Sequence, residues 1–222
     1  MNFFFFKNYD EAKIWLEANY SSFTLPTTAK NGALGYSSKD KKFSIVYEQH
    51  YDTSGTLQTS SSSQINGSAK HEAGHQADYA NSDLSKSAYF HDLMEQDIAH
   101  YNSAYNFCTQ LYPSLCYWDS GTNQWVRYPQ YIGKTNYEIL EDATVGFPSY
   151  FAPGSVNEWK EVFAEEFARQ SGNGTNAAID GFLSKFYCTM EYLDTYHASG
   201  TGTAPTWTGS SSYCTNPSAS LP

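Results

Sequence analysis

One stretch constrains this chain more than any other. Lys70-His71-Glu72-Ala73-Gly74-His75-Gln76-Ala77-Asp78-Tyr79 contains H-E-x-x-H. No proline falls between residues 64 and 81, and Ala69, Ala73, Ala77 and Ala80 recur at helical spacing. The motif is therefore expected on a helix with a small apolar strip for close packing, with His71, His75 and Asp78 on a different strip. Asn66-Gly67-Ser68 offers a start for that helix and Asn81-Ser82-Asp83 a stop. Residues four apart share one helix face, so His71 and His75 can bind one zinc ion. Glu72 can reach a water on the metal rather than the metal itself. The bland alternative is a helix surface with no ligand, since the motif arises by chance in roughly one chain in a hundred of this composition.

At 222 residues the chain has the length of one domain, or of one domain with a smaller lobe. Charged residues make up only 16% and aromatics 17%, with 19 Tyr, a balance that suits an exported protein. The net charge of −10 argues against nucleic acid or an anionic membrane surface as partner. No segment approaches the length of a transmembrane helix. The opening Met1-Asn2-Phe3-Phe4-Phe5-Phe6-Lys7 is too short for a signal-peptide core and reads as a first strand. Cys108, Cys116, Cys188 and Cys214 form no C-x-x-C pair, which disfavours a thiolate metal site. Three disulfide connectivities are open, of which Cys108–Cys116 with Cys188–Cys214 closes the shortest loops. Asn19, Asn66 and Asn173 begin N-glycosylation signals that matter only in a eukaryotic exported protein.

Along the chain, residues 9–20 read as an amphipathic helix carrying Ala12, Trp15, Leu16 and Tyr20. Strands are expected over 32–37 and 42–50, where Phe43, Ile45 and Tyr47 alternate with Ser44, Val46 and Glu48. Residues 52–63 read as an exposed Ser/Thr/Gly-rich loop leading into the His71 helix. An edge strand beside a metal-bearing helix can pair with an extended peptide, although ordinary sheet core is an equal reading. Residues 84–107 form the longest helical candidate, on which His91 and His100 read as surface or core histidines. Residues 108–150 read as an insertion or cleft-forming loop region with a short helical signal over 137–144. Helices follow over 156–171 and 177–196, and the tail from 199 to 222 reads as irregular.

A catalytic zinc takes three protein ligands and keeps one position for water. A third histidine directly after the motif is excluded, because Asp78 and Asn81 stand where H-x-x-G-x-x-H needs Gly and His. The one place where carboxylates cluster on a strong helical pattern is Asn157-Glu158-Trp159-Lys160-Glu161-Val162-Phe163-Ala164-Glu165-Glu166-Phe167-Ala168. Glu158, Glu161 and Glu165 fall on one face there. They are either solvated surface charges or include a ligand whose dication would relieve their repulsion.

Together the two segments resemble the gluzincin metallopeptidases that include the catalytic domain of anthrax lethal factor and the secreted Pro-Pro endopeptidases. The family pattern is H-E-x-G-H with an aspartate three residues on, then a helix reading E-x-F-A-E-x-F. The resemblance implies that Glu161 is the third zinc ligand. Glu165 and Asp78 would then stand behind the ligands, with Glu165 available to orient a ligand histidine. It also implies a tyrosine that hydrogen-bonds the developing oxyanion. The family position holds Gly154 here, and Tyr150 is the nearest candidate. A second departure is the long segment 76–160 between the motifs. The likeness covers these two motifs, a minority of the chain.

The expected fold is an α+β, zincin-like metallopeptidase domain spanning 1–222. Residues 1–83 would hold a small N-terminal sheet and the active-site helix, and 84–222 a mostly helical part. The expected function is a secreted, toxin-like, monomeric zinc endopeptidase acting on a peptide or protein substrate, with no nucleic acid or membrane partner. His71, His75 and Glu161 would bind Zn²⁺, Glu72 would act as general base and then acid, and Tyr150 would stabilise the oxyanion. Alternatives are a non-catalytic metal-binding module and a secreted carbohydrate- or adhesion-binding domain, the latter suggested by the many Tyr and Trp.

Overall fold

β1 (Asn2–Phe6) is a run of β-favouring phenylalanines that pairs in parallel with β3 (Phe43–Tyr47), in register from Asn2 opposite Phe43 to Phe6 opposite Tyr47. Parallel neighbours need a crossover. It is supplied by α1 (Tyr9–Asn19), whose first turn is capped by Asn8 through a 3.1 Å bond from Glu11 N. β2 (Gly35–Ser38) pairs antiparallel with the other side of β3, so the sheet order is β1-β3-β2. This computed structural model describes residues 2–30, 32–52, 54–101, 103–111, 113–134, 158–171, 186–199 and 214. Among them the architecture is mixed α+β, as the sequence indicates.

The chain divides into two compact units, Met1–Asp83 with Phe163–Ala177, and Leu84–Val162 with Ala178–Pro222. In the first, Phe43, Ile45 and Tyr47 join Tyr9, Ala12, Leu16, Leu25 and Ala29 in one core, ringed by Phe4, Phe6, Tyr20, Phe23 and Tyr36. Ser44 and Val46, on the alternate face of β3, are equally buried. α2 (Ser62–Ala80) lies on this sheet, and Gln76 Nε2 donates to the carbonyls of Phe43 (3.1 Å) and Ser38 (3.4 Å). The strand is thus covered on both faces, which its alternating sequence alone does not reveal.

Two local expectations change. The helix does not start at 66–68. Ser61 caps it with a reciprocal capping box to Gln64, two bonds that satisfy orphan donors five residues before the first expected cap, Asn66. Nor is 52–63 a plain loop. β4 (Gln49–Tyr51) and β5 (Leu57–Thr59) form an antiparallel hairpin. Its turn is organised by Asp52, whose carboxylate accepts from Ser54 N (2.9 Å), Ser54 Oγ (2.6 Å), Thr56 N (2.9 Å) and Gln58 Nε2 (3.0 Å). These bonds hold the Asp52 carboxyl down at about 2. Side-chain chemistry does here what apolar alternation does elsewhere.

In the second unit the expected 84–107 helix is broken. Only α3 (Ala88–His100) is long, and Ser87 and Ser103 each restart the chain by accepting from the backbone N–H three residues on, at 3.1 Å. Phe107–Leu111 follows as a π-helical turn. The 108–134 region holds a hairpin, β6 (Cys116–Asp119) with β7 (Gln124–Arg127), tied by the Cys108–Cys116 disulfide. Tyr101, Phe107, Cys108, Cys116 and Tyr131 form its core, with Arg127 over the Phe107 ring at 4.0 Å. α4 (Glu158–Gln170) and α5 (Tyr187–Ser199) are the two remaining long helices among the described residues. Buried Asp97 on α3 accepts from Cys188 N (2.9 Å), Thr189 N (2.9 Å) and Thr189 Oγ1 (2.7 Å), capping the start of α5. The second disulfide is Cys188–Cys214, so both bonds take the short-loop pairing. The expected signals over 137–144 and 177–185, and most of the tail, lie outside the described residues. No described helix is long and apolar enough to cross a membrane.

Candidate metal centre

α2 brings His71 and His75 one turn apart, their rings 4.7 Å between centroids and perpendicular at 89°. One ligand atom each from His71, His75 and Glu161 lie within 4.8 Å of one another, so this group could hold a metal ion. The face of α2 that packs is not the alanine strip. Ala80 is exposed, and Gly67, Ser68, Glu72, Gly74, His75, Gln76 and Asp78 are the buried positions.

Gly74 explains how α4 comes so close. A Cβ on Gly74 would lie 2.7 Å from Ala164 Cα, 2.9 Å from Ala164 O and 3.0 Å from Phe167 Cβ. The two backbones touch there, and only glycine allows it. Val162, Phe163, Ala164 and Ala168 bury the same helix, which carries Glu161 and, one turn on, Glu165. Buried Glu165 places Oε1 3.0 Å from His71 Nδ1. That contact favours the Nδ1–H tautomer and leaves Nε2 for a metal. Its neighbour Glu166 points elsewhere, paired with Arg169 Nε at 2.6 Å and Gln170 Nε2 at 3.1 Å. The donor set and the carboxylate behind His71 both suit a resident cation.

Around this pair, Tyr79 stacks on His75 (6.2 Å, 15°) and lies within 6.0 Å of the Lys39 ammonium. Asp78 is wholly buried on α2, where its carbonyl accepts from Asn81 N and Asp83 N at 3.1 and 3.0 Å. Glu72 is buried against the sheet. Its backbone carbonyl lies 3.1 Å from Ser37 Oγ and 3.3 Å from Ser44 Oγ; one of these hydroxyls donates to the other across 2.6 Å and the other donates to the carbonyl, while the Glu72 side chain rests on Gly35 of β2. Two phenols feel its charge. Burial, with Glu72 adding to it, pushes the Tyr47 hydroxyl upward, and burial is likewise the main cause for Tyr36.

The structure therefore brings together His71, His75 and Glu161, and sets Glu165 behind His71. Tyr150 lies outside the described residues. His91 stands 3.8 Å from Glu95, and His100 shares a 3.3 Å contact with Gln110; neither joins a metal group among the described residues. Sequence reasoning missed Gly35, Ser37 and Ser44. The available signal was a glycine opening a strand, which marks close approach of another group.

Comparison with protein-family models, curated proteins and solved structures found no match to this chain.

Proposed function

We propose that the chain is a secreted zinc endopeptidase with a zincin-like fold, similar in its site to the lethal factor and Pro-Pro endopeptidase group. The observation that carries this is the convergence of His71, His75 and Glu161 with Glu165 at 3.0 Å from the first of them. Two imidazoles and a carboxylate, with no thiolate, form a gluzincin donor set. Zinc held there would polarise a peptide carbonyl and make a water in its open position acidic. Glu72, next to His71 on the same helix, accepts the proton of the attacking water and returns it to the leaving nitrogen. β2, the outer strand on the Glu72 side, can receive an extended peptide through main-chain hydrogen bonds. Two disulfides and the low charged content support export. Tyr150 remains in this proposal as the oxyanion donor.

Metal analysis by mass spectrometry is expected to find one zinc per chain, lost in His71→Ala. A peptide-library assay is expected to find cleavage that Glu72→Gln abolishes while zinc stays bound. A zinc-loaded wild type that cleaves nothing leaves a metal-binding module; a metal-free fold that binds glycans after chelation leaves an adhesion domain.

A further inference from the structure

The same site holds a feature that the zinc chemistry by itself does not require. Glu72 is anchored twice by the sheet below it. At the backbone, Ser37 Oγ and Ser44 Oγ lie 2.6 Å apart, and each reaches the Glu72 carbonyl, at 3.1 and 3.3 Å. These serines are directly opposite on β2 and β3, so the two strands grip one point of α2 between them. At the side chain, a Cβ on Gly35 would lie 2.8 Å from Glu72 Oε1, 2.9 Å from Glu72 Cγ and 2.8 Å from Ile45 O. No methyl group fits there, and the Glu72 carboxylate lies against bare backbone.

We infer that Gly35, Ser37 and Ser44 are positioning residues that set where the Glu72 carboxylate stands. This rests on Glu72 acting as the base. Each anchor controls a different degree of freedom. The serine pair fixes the height of α2 over the sheet at the residue that carries the carboxylate. Gly35 fixes how far the carboxylate extends along β2. None of the three reaches His71, His75 or Glu161, so the seat orients the base without holding the metal. A proton transfer is sensitive to such placement, because a 1 Å error in a reacting group costs about 10²-fold in rate.

The test uses Gly35→Ala and the double variant Ser37→Ala/Ser44→Ala. The second removes only hydroxyls and keeps the inference testable should the alanine at 35 disturb strand pairing at Ile45 O. Both are expected to bind zinc with wild-type affinity by chelator competition, and to keep KM. kcat per folded, zinc-loaded molecule is expected to fall about 10²-fold in Gly35→Ala and about 10-fold in the double variant. A merely structural role would lower the folded fraction and leave kcat per folded molecule unchanged. Wild-type kcat in both variants overturns the inference. An independent readout needs no activity: the Glu72 carboxyl carbon resonance in metal-free protein, assigned by its loss in Glu72→Gln. It is expected to shift in both variants, and an unmoved resonance overturns the seat. Should the wild type cleave no peptide, the endopeptidase reading fails by itself, and this resonance still decides whether the seat exists.

Discussion

Gly74→Ala is the perturbation whose outcome the geometry dictates most tightly. In an ordinary helix interior the change stabilises by roughly 0.8–1 kcal/mol, since alanine is the better helix former. Here the new methyl would stand 2.7 Å from Ala164 Cα and 2.9 Å from Ala164 O. Carbon atoms rest at about 3.5–4 Å, so α2 and α4 must separate by about 1 Å, and neither obstacle is the flexible end of a side chain. Overpacking of this kind costs about 1–3 kcal/mol, which exceeds the helical gain, leaving a net loss on the order of 1 kcal/mol. The larger effect is on the metal. Glu161 and Glu165 ride on the displaced helix, and the 3.0 Å contact from Glu165 to His71 opens. Losing such a partner weakens metal binding about 10–100-fold, so zinc-induced stabilisation falls by about 1.4–2.7 kcal/mol at saturating metal. Urea unfolding with and without zinc, beside chelator competition, measures both quantities. A variant more stable than wild type by the helical increment, with unchanged zinc affinity, would refute the close-packing argument.

Three further outcomes follow from individual contacts. Glu165→Ala is expected to lower zinc affinity about 10–100-fold and Glu165→Gln by less, since the amide keeps a polar oxygen beside His71 Nδ1 while losing the charge; equal affinity of all three proteins in chelator competition would remove Glu165 from the site. Asp97→Ala strands two backbone donors and the Thr189 hydroxyl at the start of α5 and is expected to destabilise by about 3 kcal/mol, with Asp97→Asn intermediate; denaturant midpoints decide it. The Asp52 carboxyl titrates at about 2, below its ordinary 3.8, so the stability that it gives the β4–β5 turn is present above pH 4 and drains away as pH falls through about 2. Exchange protection of the Asp52 amide, bonded to Thr56 O at 2.9 Å, should follow that curve, and should lose its acid dependence in Asp52→Asn.

What the sequence disclosed, and what it hid, divides along a physical line. His71, Glu72 and His75 were legible because helical periodicity converts their spacing directly into geometry. Glu158, Glu161 and Glu165 were legible from their spacing only as one carboxylate face, since nothing local tells a ligand carboxylate from a solvated one, and it was the family resemblance that singled out Glu161; the contact that brings its helix to the histidines needs Gly74 and Ala164, 90 positions apart in the chain. The hairpin at 49–59 was hidden because Asp52 side-chain bonds replace the apolar alternation that marks most strands. The 84–107 break was hidden because a serine cap and a surface serine look alike in one dimension. Gly35 belongs to the same class: a glycine near a strand start has many uses, and its contact with Glu72 exists only after β2 has paired with β3. Residues that would touch metal or water announce themselves by type and spacing, whereas, Glu165 apart, the residues that would position them are small, uncharged and scattered. In this chain those are Gly35, Ser37, Ser44 and Gly74, and two of them are glycines whose contribution is an absent methyl group. A variant set confined to the charged and imidazole side chains would therefore locate the metal, the base and the carboxylate behind His71, yet leave untested what seats Glu72 on the sheet and what brings the two helices together.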